Sequence, residues 1–463
     1  MTAWPQFCGD VVAAVLAGAA DEYDRLTWSA EQLAHAQRDG LRALLRHAAE
    51  HSPFHRMRLA GIDVDGIDPA DLSALPVMTK AQMMDALDDV FTDRRLGRET
   101  VESALAATAV EPVPILDDYI ALASGGCSGQ RGVFVLDRDA VAAFIASASR
   151  QPGAVDLTSS ELGAQPAMAL VTSPSAVHAT GMLAALMSGP ESPFRGEMVP
   201  ATQSLGQVVE RLNAMRPAVL AGYASMLVRL AAEASAGRLR IAPAAVSSTS
   251  ETLLPEMRSV VRAAFGVPVL DGFGSTEGLV GKTCADDDVF VFNTDLCIVE
   301  LVDAENKPVA PGVPSAKVLV TNLYNLVQPL VRYELTDTFI RQPDAAEHGY
   351  LRARVQGRSD DVLHYGTVDV HPIAIRSVMV KTPEVIDYQV RQTRCGIDVM
   401  AVAADGIHLD GLSDRLRRAL VDGGLSDPDV TVRPVDRLDR HPVTGKLRRF
   451  VPITTARPTP STP

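Results

Sequence analysis

Apolar and polar positions change their rhythm three times along this chain. From about residue 10 to residue 60, apolar residues recur every three or four positions, as in LRALLRHAAEHSPFHRMRL. This predicts helices, with a break at Pro53. LPVMTKAQMMDAL predicts another, with Thr79 as its N-cap. From about 115 to 325, short β-branched or apolar runs (VFVL, MALVTS, PAVLAGY, VPVLDGFG) alternate with helical stretches such as SLGQVVERLNAMR and LPEMRSVVRAAFG. That alternation predicts an α/β domain with a largely parallel sheet. Segments 289–303 and 314–341 are richer in strands, with hairpin-like turns. At Gly357 a polar, turn-like GRSDD opens a stretch with its own mixed pattern. The expected organisation is therefore a large N-terminal domain over 1–357 and a small α+β domain over 358–455. The low-complexity end, TTARPTPSTP, is expected to be disordered, with 456–463 as the tail proper.

Composition narrows the class without naming a function. A chain of 463 residues exceeds one ordinary domain, and 47% hydrophobic with 22% charged residues suits a soluble globular protein. The net charge of -14 argues against a nucleic-acid footprint or a polybasic membrane surface. It leaves ATP open, since a few placed N–H groups and one or two cations hold a phosphate inside an acidic protein. The 5 cysteines, Cys8, Cys127, Cys284, Cys297 and Cys395, are scattered and form no CxxC, as in a reduced, cytoplasmic setting. The N-terminus lacks the pattern of a signal peptide, and polar residues interrupt every apolar run before membrane-spanning length. Only six lysines occur (Lys80, Lys282, Lys307, Lys317, Lys381 and Lys446), so each merits attention.

Five short segments can carry chemistry. Ser124-Gly125-Gly126-Cys127-Ser128-Gly129-Gln130-Arg131-Gly132 can aim N–H groups and hydroxyls at phosphate oxygens, or can be a plain surface turn. It is not a Walker A loop, because no Gly-Lys-Ser/Thr follows. Gly272-Phe273-Gly274-Ser275-Thr276-Glu277-Gly278 follows a strand. It offers a ring to stack, a threonine for phosphate and a carboxylate for Mg²⁺, or alternatively an ordinary capped turn. Arg332-Tyr333-Glu334-Leu335-Thr336-Asp337 ends in a carboxylate able to accept from ribose hydroxyls. Gly357-Arg358-Ser359-Asp360-Asp361 and Pro442-Val443-Thr444-Gly445-Lys446-Leu447-Arg448-Arg449 complete the set.

Each segment is weak alone, but their order and spacing resemble the core motifs of adenylate-forming enzymes. LLRHAAEHSPFHRMRL followed by LPVMTK resembles the phenylacetate–CoA ligase branch. The resemblance runs over nearly the whole chain. It implies that Ser124 to Gly129 hold the β- and γ-phosphates, with Cys127 standing where Ser or Thr is common and Arg131 where Pro is common. It implies that Ser250, Glu251 and Thr252 face the adenine, with Asp271, Gly272 and Phe273 completing the slot and Gly274 and Ser275 beside it. Thr276 would contact the α-phosphate, Glu277 would hold Mg²⁺, and Asp337 and Arg358 would bind the ribose. Asp360 matches the hinge and Lys446 the lysine that catalyses adenylation. In the acid pocket, His178 within Ser173–Gly181, Tyr223, Ser248 and Gly274 are candidates, with His178 reading equally as a satisfied helix-start histidine.

The implied activity joins a small carboxylic acid, aromatic by first expectation, to AMP from ATP and then to coenzyme A. An amine acceptor is the alternative, as is an unusual oxyacid such as nitrite for diazotisation of an aryl amine. A homodimer is compatible with all of these. A rival from another class is a metalloprotease, because His47, Glu50 and His51 spell H-x-x-E-H.

Overall fold

The computed structural model describes residues 4–124, 131–151, 165–189, 192, 194–343, 349–358, 361–370, 372–380, 382, 384–403, 408–440 and 447–453. The chain divides into two compact units, one reaching Gln356 and the other beginning at Gly357.

In the large unit, the N-terminal periodicity becomes the helices Trp4–Arg25, Ala30–His51 and Pro53–Arg58. Ser29 and Gln32 form a capping box at the start of the second. Ser52 both ends that helix and caps the third, where Pro53 takes the first-turn position that needs no N–H. Thr79 caps Lys80–Asp85 through a capping box with Gln82. Among the described residues, no helix is long and apolar enough to cross a membrane.

A nine-stranded sheet forms the body. Its order is Asp337–Arg341, Arg352–Arg358, Phe290–Phe292, Val280–Thr283, Val269–Gly274, Ala245–Thr249, Val219–Gly222, Ala167–Thr172 and Arg195–Pro200. The strands from Val269–Gly274 to Arg195–Pro200 run parallel, and the helices Ala179–Met187, Leu205–Met215, Ala224–Ser235 and Pro255–Phe265 alternate with them along the chain. Beyond Val269–Gly274 the neighbours turn antiparallel. The expectation of a largely parallel sheet therefore holds for one half only. VFVL is also a strand, but it belongs elsewhere. Val133–Asp137 pairs antiparallel with Tyr119–Ala123 as a separate two-stranded sheet, and a short apolar run does not say what it will pair with. Cys297–Val302, Lys317–Asn322 and Tyr333–Leu335 make a three-stranded antiparallel sheet, as the hairpin-like segments predict.

The small unit is α+β. Its four-stranded sheet runs Asp429–Pro434, Gly396–Ala403, Val385–Gln392, Phe450–Val451. Leu412, Leu416 and Leu420 recur every four residues on Leu409–Asp422 and bury one stripe of that helix, in a core with Val390, Val399 and Phe450.

Candidate active site

In open α/β sheets, ligands gather outside the carboxyl ends of the parallel strands. Here those ends carry most of the predicted residues. Ser173 follows Ala167–Thr172, Tyr223 follows Val219–Gly222, Ser250 to Thr252 follow Ala245–Thr249, and Asp271 to Gly274 close Val269–Gly274.

Short hydrogen bonds lock these ends together. The Ser173 N–H donates to the Tyr223 hydroxyl at 2.9 Å. Tyr223 is wholly buried and heads the helix Ala224–Ser235. The Glu251 carboxylate accepts the Ser225 N–H at 3.0 Å, placing negative charge on that helix's positive end. Ser250 adopts a left-handed φ of 65°, so the chain turns sharply out of its strand. Ser248 is fully buried and lies in register with Asp271. Tyr223 and Ser248, expected in the acid pocket, are both wholly buried.

The Asp271 N–H donates to the Thr283 hydroxyl at 3.1 Å. Burial pushes the Asp271 carboxyl up to about 7, against the opposing pull of the Arg258 charge, the Ser248 hydroxyl and the Gly272 N–H. Phe273 turns its ring to Phe290, Phe292 and Phe339, edge to face, with centroids 5.3 Å apart at Phe339. That contact joins Phe273 to the strand that begins at Asp337, so two predicted motifs distant in sequence meet in the fold. Asp337 is itself buried. Arg332 and Glu334 of the same motif are occupied elsewhere, Arg332 with Glu300 at 2.8 Å and Glu334 with Lys317 at 2.8 Å.

Ser275 to Leu279 form a tight turn in which the Ser275 hydroxyl accepts the Leu279 N–H at 3.3 Å. Gly278 has φ +103°, and a Cβ there would stand 2.2 Å from the Asn322 amide nitrogen. Only glycine fits, and its neighbour Glu277 is buried with its backbone carbonyl accepting from Asn322 at 3.0 Å.

The glycine-rich segment is visible at its stem. The Ser124 hydroxyl accepts the Gly132 N–H at 2.8 Å. A His178 ring nitrogen donates to the Ala123 carbonyl at 3.0 Å, which ties the stem to the start of Ala179–Met187. A Cβ on Gly181 would lie 2.1 Å from the Ser175 carbonyl, so that helix presses closely on the turn before it. Arg131 does not point free toward a phosphate, because it is ion-paired with Glu102. Gly125, Gly126, Cys127, Ser128, Gly129, Asp360 and Lys446 lie outside the described residues, and Arg358 ends Arg352–Arg358.

The H-x-x-E-H set gathers no further ligand among the described residues. His47 and His51 face each other with ring centroids 4.6 Å apart. His55 is buried against the Pro329 carbonyl at 2.9 Å, and burial lowers it to about 4. Among the described residues, no three His, Cys, Asp or Glu side chains come together to hold a metal.

Sequence reasoning missed Lys282. It pairs across strands with Gly272, beside the residues expected to form the adenine slot. Its only signal was the scarcity of lysine.

No protein-family model matches the sequence. Phenylacetate-coenzyme A ligase of Aromatoleum evansii is 23% identical over 433 residues, covering 89% of this chain and 86% of its own. Over nearly its whole length the chain is thus similar to a phenylacetate–CoA ligase, the branch of adenylate-forming enzymes that its motifs resemble. The fold agrees with solved members. A 2-hydroxyisobutyryl-CoA ligase, in the postadenylation state with 2-HIB-AMP, superposes with a TM-score of 0.65 at 17% identity, over 92% of this chain and 91% of that one. The amide bond synthetase McbA from Marinactinospora thermotolerans reaches 0.50 at 17% identity, over 68% and 65%.

Proposed function

We propose that this protein activates a small carboxylic acid as its acyl-adenylate and passes the acyl group to coenzyme A, with an aromatic acid as the first expectation. The convergence of Ser173, Glu251, Asp271 and Glu277 at one set of strand ends is the observation that carries this reading.

The chemistry follows from charge. A carboxylate is a poor electrophile, since its leaving group would be oxide. Its oxygen attacks the α-phosphorus of ATP, the bond to the β-phosphate breaks, and pyrophosphate departs. The thiol then attacks the acyl carbon and AMP leaves. Thr276 would contact the α-phosphate. The resemblance gives Lys446 the task of orienting both reactants and stabilising the charge gathered between them. Glu277 offers the hard oxygen donor that Mg²⁺ takes, and the ion would neutralise charge on the pyrophosphate side. Gly272 and Phe273 would flank the adenine, Asp337 and Arg358 the ribose, and Ser124 to Gly129 the outer phosphates. Rotation of the small domain about Asp360 would follow adenylation.

One assay tests this. Pyrophosphate release is measured with aryl acids, short aliphatic acids and nitrite, each with and without coenzyme A. Release with an acid, accelerated by coenzyme A, supports the reading. Release only with nitrite and an aryl amine, or acceleration only by amines, transfers it to the alternatives named above.

A further inference from the structure

Lys282 stands out from the other charges of the large unit because nothing answers it. Among the described residues its ammonium has no hydrogen bond and no ion pair. Burial lowers it to about 8, and among the described residues no neighbouring charge of either sign contributes. By contrast, Lys317 is paired with Glu334.

Its position is specific. Thr249 pairs with Gly272 and Gly272 pairs with Lys282, so the three form one row across adjacent strands about 4.8 Å apart. Cross-strand partners project to the same face. Over Gly272 that face is open among the described residues, since a Cβ built there meets only the Ser248 carbonyl, at 3.6 Å. The opposite face is closed, since a Cβ on the neighbouring Gly281 would strike the Phe292 ring at 2.6 Å. A half-buried cation thus borders an open strip of sheet at the strand ends where the acid and nucleotide would bind.

We infer that Lys282 receives a second anionic group on the acid, so that the preferred substrate is a dicarboxylic acid whose distal carboxylate docks on this ammonium. This rests on the acid-activating function proposed above. A half-buried ammonium without a counter-ion among the described residues is a standing cost, and an incoming carboxylate relieves it through a charge-assisted hydrogen bond. The reacting carboxylate is a poorer occupant. The resemblance already gives that end to Lys446.

The test is a preference ratio. Pyrophosphate release is measured for succinate, glutarate, phthalate and terephthalate, each against its monomethyl ester, in the wild type, Lys282→Met and Lys282→Arg. The wild type should favour at least one dicarboxylate over its half-ester by about 10–100-fold in kcat/KM. Lys282→Met should erase that ratio and Lys282→Arg should keep it. A half-ester turned over as well as its diacid by the wild type overturns the inference. So does a Lys282→Met variant that retains the ratio, or one that slows both members of a pair alike, which would put Lys282 at the reacting end. Calorimetric binding of the same pairs, with a non-hydrolysable ATP analogue present, separates this inference from the parent reading. If no acid releases pyrophosphate, the proposed activity fails. The inference then still stands or falls on whether Lys282→Met costs the diacid about 10–100-fold in affinity relative to its half-ester.

Discussion

Two regions of the large unit bury charge, and they do so in opposite ways. Behind the sheet, Arg150 is almost wholly enclosed, yet each of its nitrogens is answered. It grips Asp295 with two parallel bonds of 2.7 and 2.8 Å and reaches Glu22 at 2.7 Å, while Arg25 adds a contact to Asp295 at 3.3 Å. These pairs pin the helix Trp4–Arg25 to the turn after Phe290–Phe292. At the strand ends, the buried Asp271 and the half-buried Lys282 have their charge poorly compensated, and both shift toward neutrality. A charge matched by protein is spent on holding the fold. A charge left unmatched is held for something that arrives later, and the protein carries the cost meanwhile.

The comparison breaks first on the matched side. Asp295→Ala would leave Arg150 with half its partners in a dry site, which costs about 3–5 kcal/mol. Denaturant or thermal unfolding should show that loss, while activity per folded molecule changes little. An unfolding midpoint equal to wild type would mean that the pair holds nothing.

Next comes the catalytic side, where the expected effect is on rate and not on stability. Lys446→Ala should slow pyrophosphate release by about 10²–10³-fold or more with an unchanged melting temperature. Unchanged pyrophosphate release would remove Lys446 from the chemistry and weaken the acyl-adenylate reading with it.

Gly278→Ala lies between the two regions. The left-handed φ and the 2.2 Å approach to Asn322 both resist a methyl group, so the turn holding Thr276 and Glu277 must shift. A cost of about 1–3 kcal/mol is expected, with a fall in ATP-dependent pyrophosphate release larger than the fall in stability would explain. Equal losses in both would make Gly278 a folding residue only.

How much of this was legible beforehand depended on whether the determinant is local. The capping boxes at Ser29 and Thr79 and the periodicity of LRALLRHAAEH are written within a few residues, so the helices could be read directly. Phe273 and Asp337 were legible as motif residues, but their meeting through Phe339 depends on distant strands coming together. VFVL announced a strand without its partner. The H-x-x-E-H spelling suggested a metal site because spacing on a helix does not reveal whether a third ligand comes beside it, and among the described residues none does. Lys282 was hidden for the same reason. Nothing in VGKT says that its lysine will stand opposite Gly272, or that no carboxylate will come with it.

The last test sharpens the unmatched side. Asp271 has a carboxyl raised from 3.8 to about 7, chiefly by burial. The folded state therefore favours the protonated acid. Below about pH 4 both folded and unfolded chains carry the proton, and the stability associated with it is fully present. As pH rises from there through 7, the unfolded chain ionises freely and the folded chain resists. Stability declines across that window, by at most about 1.4 kcal/mol per pH unit, and levels off above it. Asp271→Asn removes the titration and should flatten this slope in unfolding measured between pH 4 and 8, leaving the variant relatively more stable at the alkaline end. A variant whose slope matches wild type would mean that Asp271 is compensated by Arg258 after all, and the contrast with Arg150 and Asp295 would then rest on Lys282 alone.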